Sequence, residues 1–146
     1  MRFAMIGTGY VGLVSGACFA DFGHEVTCVD KDTGKIAALA RGEVPIYEPG
    51  LNDLVAVNTR EGRLKFTNGL AGAVKAADAV FIAVGTPSRR GDGHADLSFV
   101  YDAAREIAAA YPSLPAGLRR RFALCHQYFN LAKQRHNLLR SKPLLR

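Results

Sequence analysis

Residues 1–30 read MRFAMIGTGYVGLVSGACFADFGHEVTCVD, and the prediction of the fold begins with the pattern of this stretch. An apolar run of strand length, residues 2–6, is followed at once by GTGYVG at residues 7–12, a G-x-G-x-x-G pattern. Small and apolar residues then recur at helical spacing as far as Phe22, and a second, β-branched run at residues 25–29 ends at Asp30. The pattern predicts a strand, a glycine turn, a helix and a second strand parallel to the first.

The three glycines of the turn have different physical tasks in such a unit. Gly7 allows the tight turn after the first strand, and Gly12 lets the helix pack closely against that strand. Gly9 lacks a Cβ, so the backbone is able to approach a pyrophosphate, which would lie on the free N–H groups at the helix start. Because strand and helix patterns flank the motif on both sides, it predicts a dinucleotide site. The alternative is a glycine-rich turn between two buried strands with no ligand.

Asp30 lies 18 residues after Gly12, close to the spacing of about 20 at which an acid at the second strand's end meets the adenosine ribose. Its carboxylate is able to accept hydrogen bonds from the 2′- and 3′-hydroxyls and would repel a 2′-phosphate. The sequence therefore favours NAD over NADP, a preference that the adjacent Lys31 could soften.

Composition excludes several classes of protein. The 146 residues contain no run that approaches the ~18 apolar residues of a membrane span, and the broken apolar start does not match a secretory signal. The three cysteines have no metal-ligand spacing, so no metal site is expected. Cys18 and Cys28 fall in a predicted helix and strand, as buried cysteines do, which fits a reducing cytoplasm.

The net charge of +6 is unevenly distributed. Residues 1–110 contain 11 Lys and Arg and all 13 Asp and Glu, a net charge of −2, whereas residues 111–146 contain 8 Lys and Arg and no acid. This shift predicts a boundary near Ala110, with a domain over residues 1–110 and a basic tail over residues 111–146. The tail suits a polyanion, so an alternative is a non-enzymatic nucleotide-binding protein whose tail contacts an anionic lipid, an acidic partner or nucleic acid. No nucleic-acid motif is present, so nucleic acid is the least expected of these partners.

The chain after Asp30 alternates between helix and strand patterns. Asp32 and Asn68 are predicted to cap helices, and residues 79–84 form the strongest strand signal. The order β-α-β-α-α-β-α-β-α predicts an α/β fold, a Rossmann-like, doubly wound parallel sheet that lacks its fifth strand. The further predicted elements are helices at residues 33–41, 49–59, 69–76 and 99–110, a strand at residues 63–67, and a polar loop at residues 88–98.

Four stretches carry a resemblance to a known family. They are GTGYVGL at residues 7–13, Val29-Asp30 with Lys35-Ile36, PIYEPGL at residues 45–51, and FIAVGTP at residues 81–87. In these stretches the chain resembles the NAD-binding domain of the UDP-glucose/GDP-mannose dehydrogenases. The likeness covers about residues 1–110 and stops there.

The resemblance implies a set of cofactor contacts. The backbone around Tyr10 and Val11 would meet the pyrophosphate, Asp30 and Lys35 would lie at the adenosine ribose, and Thr86 would lie near the nicotinamide half of NAD. Simpler interpretations remain open: Lys35 as a solvated helix lysine, Thr86 as a cap of the loop before Pro87, and Tyr10 as a partly exposed turn aromatic. The cofactor-binding residues implied in this way are Gly7, Gly9, Tyr10, Val11, Gly12, Asp30, Lys35 and Thr86.

The resemblance also implies an activity for full-length relatives. Such enzymes are oxidoreductases that oxidise the C6 alcohol of a nucleotide sugar, such as UDP-glucose, twice to a carboxylate, through a catalytic cysteine. The motif that holds that cysteine has no match in this chain, and Cys18, Cys28 and Cys125 lie outside it. We therefore expect the chain alone to be inactive and to contain no catalytic residue. A reading-frame shift near residue 110 would explain the unmatched tail; a homo-oligomer stays open for full-length relatives.

Overall fold

The computed structural model describes residues 1–89, 91 and 94–110. The predicted basic tail, residues 111–146, and the absent fifth strand lie outside the described residues. The strands are β1 (Arg2–Ile6), β2 (Glu25–Val29), β3 (Leu64–Thr67) and β4 (Ala79–Ile82). The helices are α1 (Tyr10–Asp21), α2 (Thr33–Ala40), α3 (Leu51–Arg60), α4 (Leu70–Ala76) and α5 (Ser98–Ala110).

The four strands form one parallel sheet in the order β3-β2-β1-β4. Residue Ile6 at the end of β1 is level with Val29 of β2 and Ile82 of β4, so the three strands end at one edge of the sheet. The chain leaves β1 toward β2 and β3 on one side and returns to β4 on the other. Ligands of open α/β sheets bind at this change of direction.

One face of the sheet packs against α1 and α3. Phe3 and Met5 point to this face and belong to a buried apolar cluster with Leu13 and Ala17 of α1 and Val55 of α3. The side chains of β1 alternate between faces because successive residues of a strand point in opposite directions.

The other face packs against α4 and α5. Ala4 and Ile6 lie in a second buried cluster with Val74 of α4 and with Val100 and Ile107 of α5. Helices therefore cover both faces of the parallel sheet, which confirms the predicted doubly wound α/β architecture.

The predicted element order is confirmed, but some details are wrong. Helix α3 begins at Leu51, after Gly50, rather than near Pro49. Asn68 does not cap α4: Gly69 is the N-cap, and the Asn68 side chain instead donates to the Asp30 carbonyl oxygen at 2.9 Å. The predicted Asp32 cap is confirmed, because its Oδ1 accepts from the backbone N–H of Lys35 at 3.0 Å.

None of the helices in the described ranges is long and apolar enough to cross a bilayer.

Candidate functional site

Two of the three motif glycines are required by the backbone itself. Gly7 has φ +102°, and its N–H donates to the Val29 carbonyl at 2.7 Å, so the turn is tied to the end of β2. A Cβ on Gly12 would lie only 1.9 Å from the Gly7 carbonyl oxygen. The start of α1 therefore packs directly on the turn, at a distance that only glycine at position 12 permits.

Gly9 differs, because nothing lies within 4 Å of where its Cβ would be. It is the N-cap of α1 and has an extended backbone, with φ −69° and ψ −176°. No side chain caps this helix start, and its first turn contains no acid. The first N–H groups of α1 and the positive end of its dipole are therefore open to an anion.

The carboxylate of Asp30 is held at the end of β2 by hydrogen bonds. Its Oδ2 accepts from the Thr8 backbone N–H at 2.9 Å, the Thr8 hydroxyl at 2.6 Å and Lys35 Nζ at 3.3 Å. Its Oδ1 accepts from the Asp32 backbone N–H at 3.1 Å. The acid is thereby fixed relative to the glycine turn.

These contacts keep Asp30 ionised. Partial burial raises the pKa of the carboxyl, but the hydrogen bonds from Thr8, then those from Asp32 and Lys35, outweigh burial and lower the pKa to about 2. At neutral pH the site therefore presents a negative charge beside the start of α1.

Two lysines lie beside this acid, and each has an acidic partner. Lys35 contacts Asp30, and its side chain is 31% exposed. Lys31 extends across to α5, where its Nζ lies 2.5 Å from Glu106 Oε1. Lys31 thus forms an exposed ion pair with Glu106. That Lys31 could soften the preference for NAD stays a prediction.

A cleft of about 490 Å³ lies at the carboxyl ends of β1, β2 and β4. The cleft brings Gly7 and Gly9 of the turn together with Asp30 and Lys35. The lining also includes residues of the β3–α4 connection, the start of α4 and α5, which the sequence did not indicate as a site: Asn68, Leu70, Phe99, Asp102, Ala103 and Glu106.

The remaining site residues predicted from the sequence lie outside the cleft lining. Tyr10 is 51% exposed and donates its hydroxyl to Glu48 Oε2 at 2.5 Å. Val11 is half-buried, Gly12 is buried under the turn, and Thr86 is half-buried in the chain after β4. The cleft lining thus includes Gly7, Gly9, Asp30 and Lys35, whereas Thr86 follows the lining residue Gly85 and does not line the cleft itself.

The cysteines of the described segment are not placed for nucleophilic chemistry. Cys28 is fully buried, and burial raises the pKa of its thiol to about 12. Cys18 lies within α1, and neither cysteine lines the cleft. No cluster of His, Cys, Asp and Glu suited to a metal ion occurs among the residues that the structure describes.

The parallel sheet, the glycine turn under α1 and the acid at the end of β2 define a dinucleotide-binding domain of the Rossmann type. Residues 1–113 match the model of the UDP-glucose/GDP-mannose dehydrogenase family, NAD binding domain. The chain belongs to this family, and NAD is the cofactor of the matched domain.

Named relatives agree with the family. The chain is 72% identical over 109 residues to UDP-glucose 6-dehydrogenase of Rhizobium meliloti (strain 1021), a match that covers 75% of this chain and 25% of the relative. It is 54% identical over 106 residues to UDP-glucose 6-dehydrogenase TuaD of Bacillus subtilis (strain 168), a match that covers 73% of this chain and 23% of the relative. The chain therefore spans about a quarter of the length of these relatives.

Solved structures show the same fold. A GDP-mannose dehydrogenase from Pseudomonas aeruginosa, solved as a ternary complex, aligns with a TM-score of 0.74 and 41% identity over 77% of this chain and 26% of its own. A UDP-glucose dehydrogenase from Pyrobaculum islandicum aligns with a TM-score of 0.71 and 41% identity, over 75% of this chain and 25% of its own.

Proposed function

We propose that this chain binds NAD in the cleft at the carboxyl ends of β1, β2 and β4. The observation that carries the proposal is the ionised Asp30 carboxylate, which Thr8 holds beside the glycine turn, within the cleft. An anion site at a helix start next to a fixed hydroxyl acceptor matches the pyrophosphate and ribose of a dinucleotide.

The residues fit the cofactor. The open space at Gly9 leaves room for a pyrophosphate beside the first N–H groups of α1. The volume of about 490 Å³ lies within the ~300–1,000 Å³ of small-molecule sites. When bound, NAD supplies a hydride acceptor; the chain's own residues bind and orient it.

Each predicted site residue receives a role in this proposal. Asp30 accepts from the adenosine ribose, Lys35 lies beside that ribose, and Thr86 serves the nicotinamide half. The pyrophosphate lies against the backbone of the glycine turn and the start of α1: Gly7, Gly9, Tyr10, Val11 and Gly12.

We infer that residues 1–110 form the cofactor domain of a UDP-glucose 6-dehydrogenase, which oxidises UDP-glucose to UDP-glucuronate with two NAD. The 72% identity to the Rhizobium meliloti enzyme favours UDP-glucose over GDP-mannose as the nucleotide sugar. The described cysteines are free, which suits a cytoplasmic enzyme. The chain contributes cofactor binding to this reaction, not the attack on the sugar.

Calorimetric titration of the full chain with NAD and, separately, with NADP tests the proposal. We expect saturable binding of NAD and at least tenfold weaker binding of NADP, because the ionised Asp30 repels a 2′-phosphate. Equal or tighter binding of NADP, or no heat of binding with NAD, would contradict the assignment of the site.

A further inference from the structure

Thr8 is a polar side chain in a place where burial is complete. It lies between Gly7 and Gly9, and its exposed fraction is 0%. Among the described residues it shares this combination of polar character and burial only with Asn58. A buried hydroxyl has a free-energy cost unless it is hydrogen-bonded, so its partner indicates why it is there.

Both donors of Thr8 converge on one atom. Its backbone N–H and its hydroxyl donate to Oδ2 of Asp30 at 2.9 and 2.6 Å. Lys35 Nζ adds a longer contact to the same oxygen at 3.3 Å. A carboxylate oxygen has about two lone pairs, so Thr8 alone occupies the acceptor capacity of Oδ2.

The other oxygen of Asp30 is less occupied. Within the described part of the chain, Oδ1 accepts only from the Asp32 N–H, at 3.1 Å. It therefore retains a lone pair for a further donor, and Asp30 itself lines the cleft. The two carboxylate oxygens thus have separate tasks: Oδ2 anchors the side chain, and Oδ1 is available to a ligand.

We propose that Thr8 is a positioning residue of the cofactor site: it fixes the Asp30 carboxylate through Oδ2, so that Oδ1 accepts the ribose hydroxyl of NAD. The inference rests on the proposed function. Thr8 belongs to the glycine turn and Asp30 to the end of β2, so their contact also sets the pyrophosphate site and the ribose acceptor at a fixed separation.

Other groups near Asp30 are charged and more exposed than Thr8. Lys31 and Lys35 line the same cleft, together with Asp102 and Glu106 of α5. Lys31 is 76% exposed and paired with Glu106. Exposed charges of this kind hold a neighbour weakly, whereas the neutral, buried Thr8 hydroxyl provides a short and directional contact.

The test compares Thr8→Val, which keeps the shape and removes the hydroxyl, with Thr8→Ser, which keeps the hydroxyl. Calorimetry on the full chain should show NAD binding about tenfold weaker in Thr8→Val and within about threefold of the unmodified chain in Thr8→Ser. Equal NAD affinity in a folded Thr8→Val chain, or equal losses in both variants, would overturn the proposal. Thr8→Ala replaces Thr8→Val if the latter does not fold.

A second measurement separates this proposal from NAD binding itself. In the ligand-free chain, the carboxyl carbon of Asp30 is followed by NMR as the pH is lowered. We expect its titration midpoint to rise in Thr8→Val and to stay near that of the unmodified chain in Thr8→Ser, and an unchanged midpoint in Thr8→Val would refute the positioning role. Absence of NAD binding by the unmodified chain would instead refute the proposed function.

Discussion

The negative charge of Asp30 is stabilised mainly by neutral hydrogen-bond donors. The Thr8 hydroxyl lies 2.6 Å from the carboxylate, whereas the ammonium of Lys35 lies at 3.3 Å. The Thr8 donors belong to the glycine turn and are already in place, so the proposed binding of a ribose hydroxyl would need little reorganisation of Asp30. The hydrogen bonds that hold Asp30 are therefore part of the fold and do not depend on a ligand.

This arrangement gives Asp30 a pH-dependent effect on stability. Its pKa is about 2 in the folded chain, below the ordinary 3.8, so its contribution is fully present above about pH 4 and is lost as the pH falls toward 2. Replacing Asp30 by Asn should lower the free energy of unfolding at pH 6 by roughly 1 kcal/mol, after allowance for solvent screening.

Urea denaturation of the unmodified chain and Asp30→Asn at pH 6 and pH 3 measures this effect. The difference in free energy of unfolding should shrink to roughly half at pH 3, because Asp30 is then mostly protonated in the unfolded chain but still mostly ionised in the folded chain. A difference that stays constant or grows as the pH falls would show that the ionised carboxylate is not the stabilised form.

The sequence predicts Asp30 but not what holds it. The apolar run of β2 locates the strand end, and the spacing from the glycines indicates an acid there. The partner of the Thr8 hydroxyl is 22 residues away, and no periodicity shows that the two side chains meet. The α5 wall of the cleft was missed for the same reason, since Phe99 and Glu106 reach the site only through tertiary packing.

The glycine turn and α1 act as one element, in which different glycines serve folding and binding. A Cβ at position 12 would collide with the Gly7 carbonyl oxygen, whereas a Cβ at position 9 would meet open space. The fold therefore requires Gly12, and the proposed ligand requires Gly9.

Valine at each position separates these two requirements. Gly12→Val should destabilise the chain by roughly 3 kcal/mol or more, because a backbone carbonyl is unable to move aside as a side chain does. Gly9→Val should keep the circular dichroism and melting behaviour of the unmodified chain but lose NAD binding.

Stability and NAD affinity are both measured for Gly9→Val and Gly12→Val. NAD affinity close to that of the unmodified chain in a folded Gly9→Val protein would contradict the assignment of the turn as a pyrophosphate site. A Gly12→Val chain of unchanged stability would contradict the packing of α1 on the turn.

Element types were predictable because apolar runs and helical spacing report burial directly. The boundaries and caps of the helices were less predictable from the sequence. The Asn68 side chain could cap the start of α4 or bind the Asp30 carbonyl oxygen. In the structure it donates to the Asp30 carbonyl oxygen. The bond links the end of β2 to the chain before α4, a contact that the local sequence does not indicate.

In the described part of the chain, the two apolar clusters pack on opposite faces of the sheet, and the cleft lies at the carboxyl ends of its strands. One cluster supports α1 and the glycine turn, and the other supports α5, which contributes to the lining of the cleft. The chain spans about a quarter of its relatives' length. We expect the described domain to bind NAD by itself, through the glycine turn and Asp30.

Amide NMR spectra of the full, isotope-labelled chain, recorded during titration with NAD, show whether NAD binds at these residues. We expect the largest shifts at the amides of residues 7–12 and of Asp30, and smaller ones at Asn68 and at the residues of α5 that line the cleft. The amides of α3 should stay in place, because this helix lies away from the cleft lining. If shifts were absent at saturating NAD, or concentrated on α3, the proposed NAD site at the glycine turn and Asp30 would be wrong.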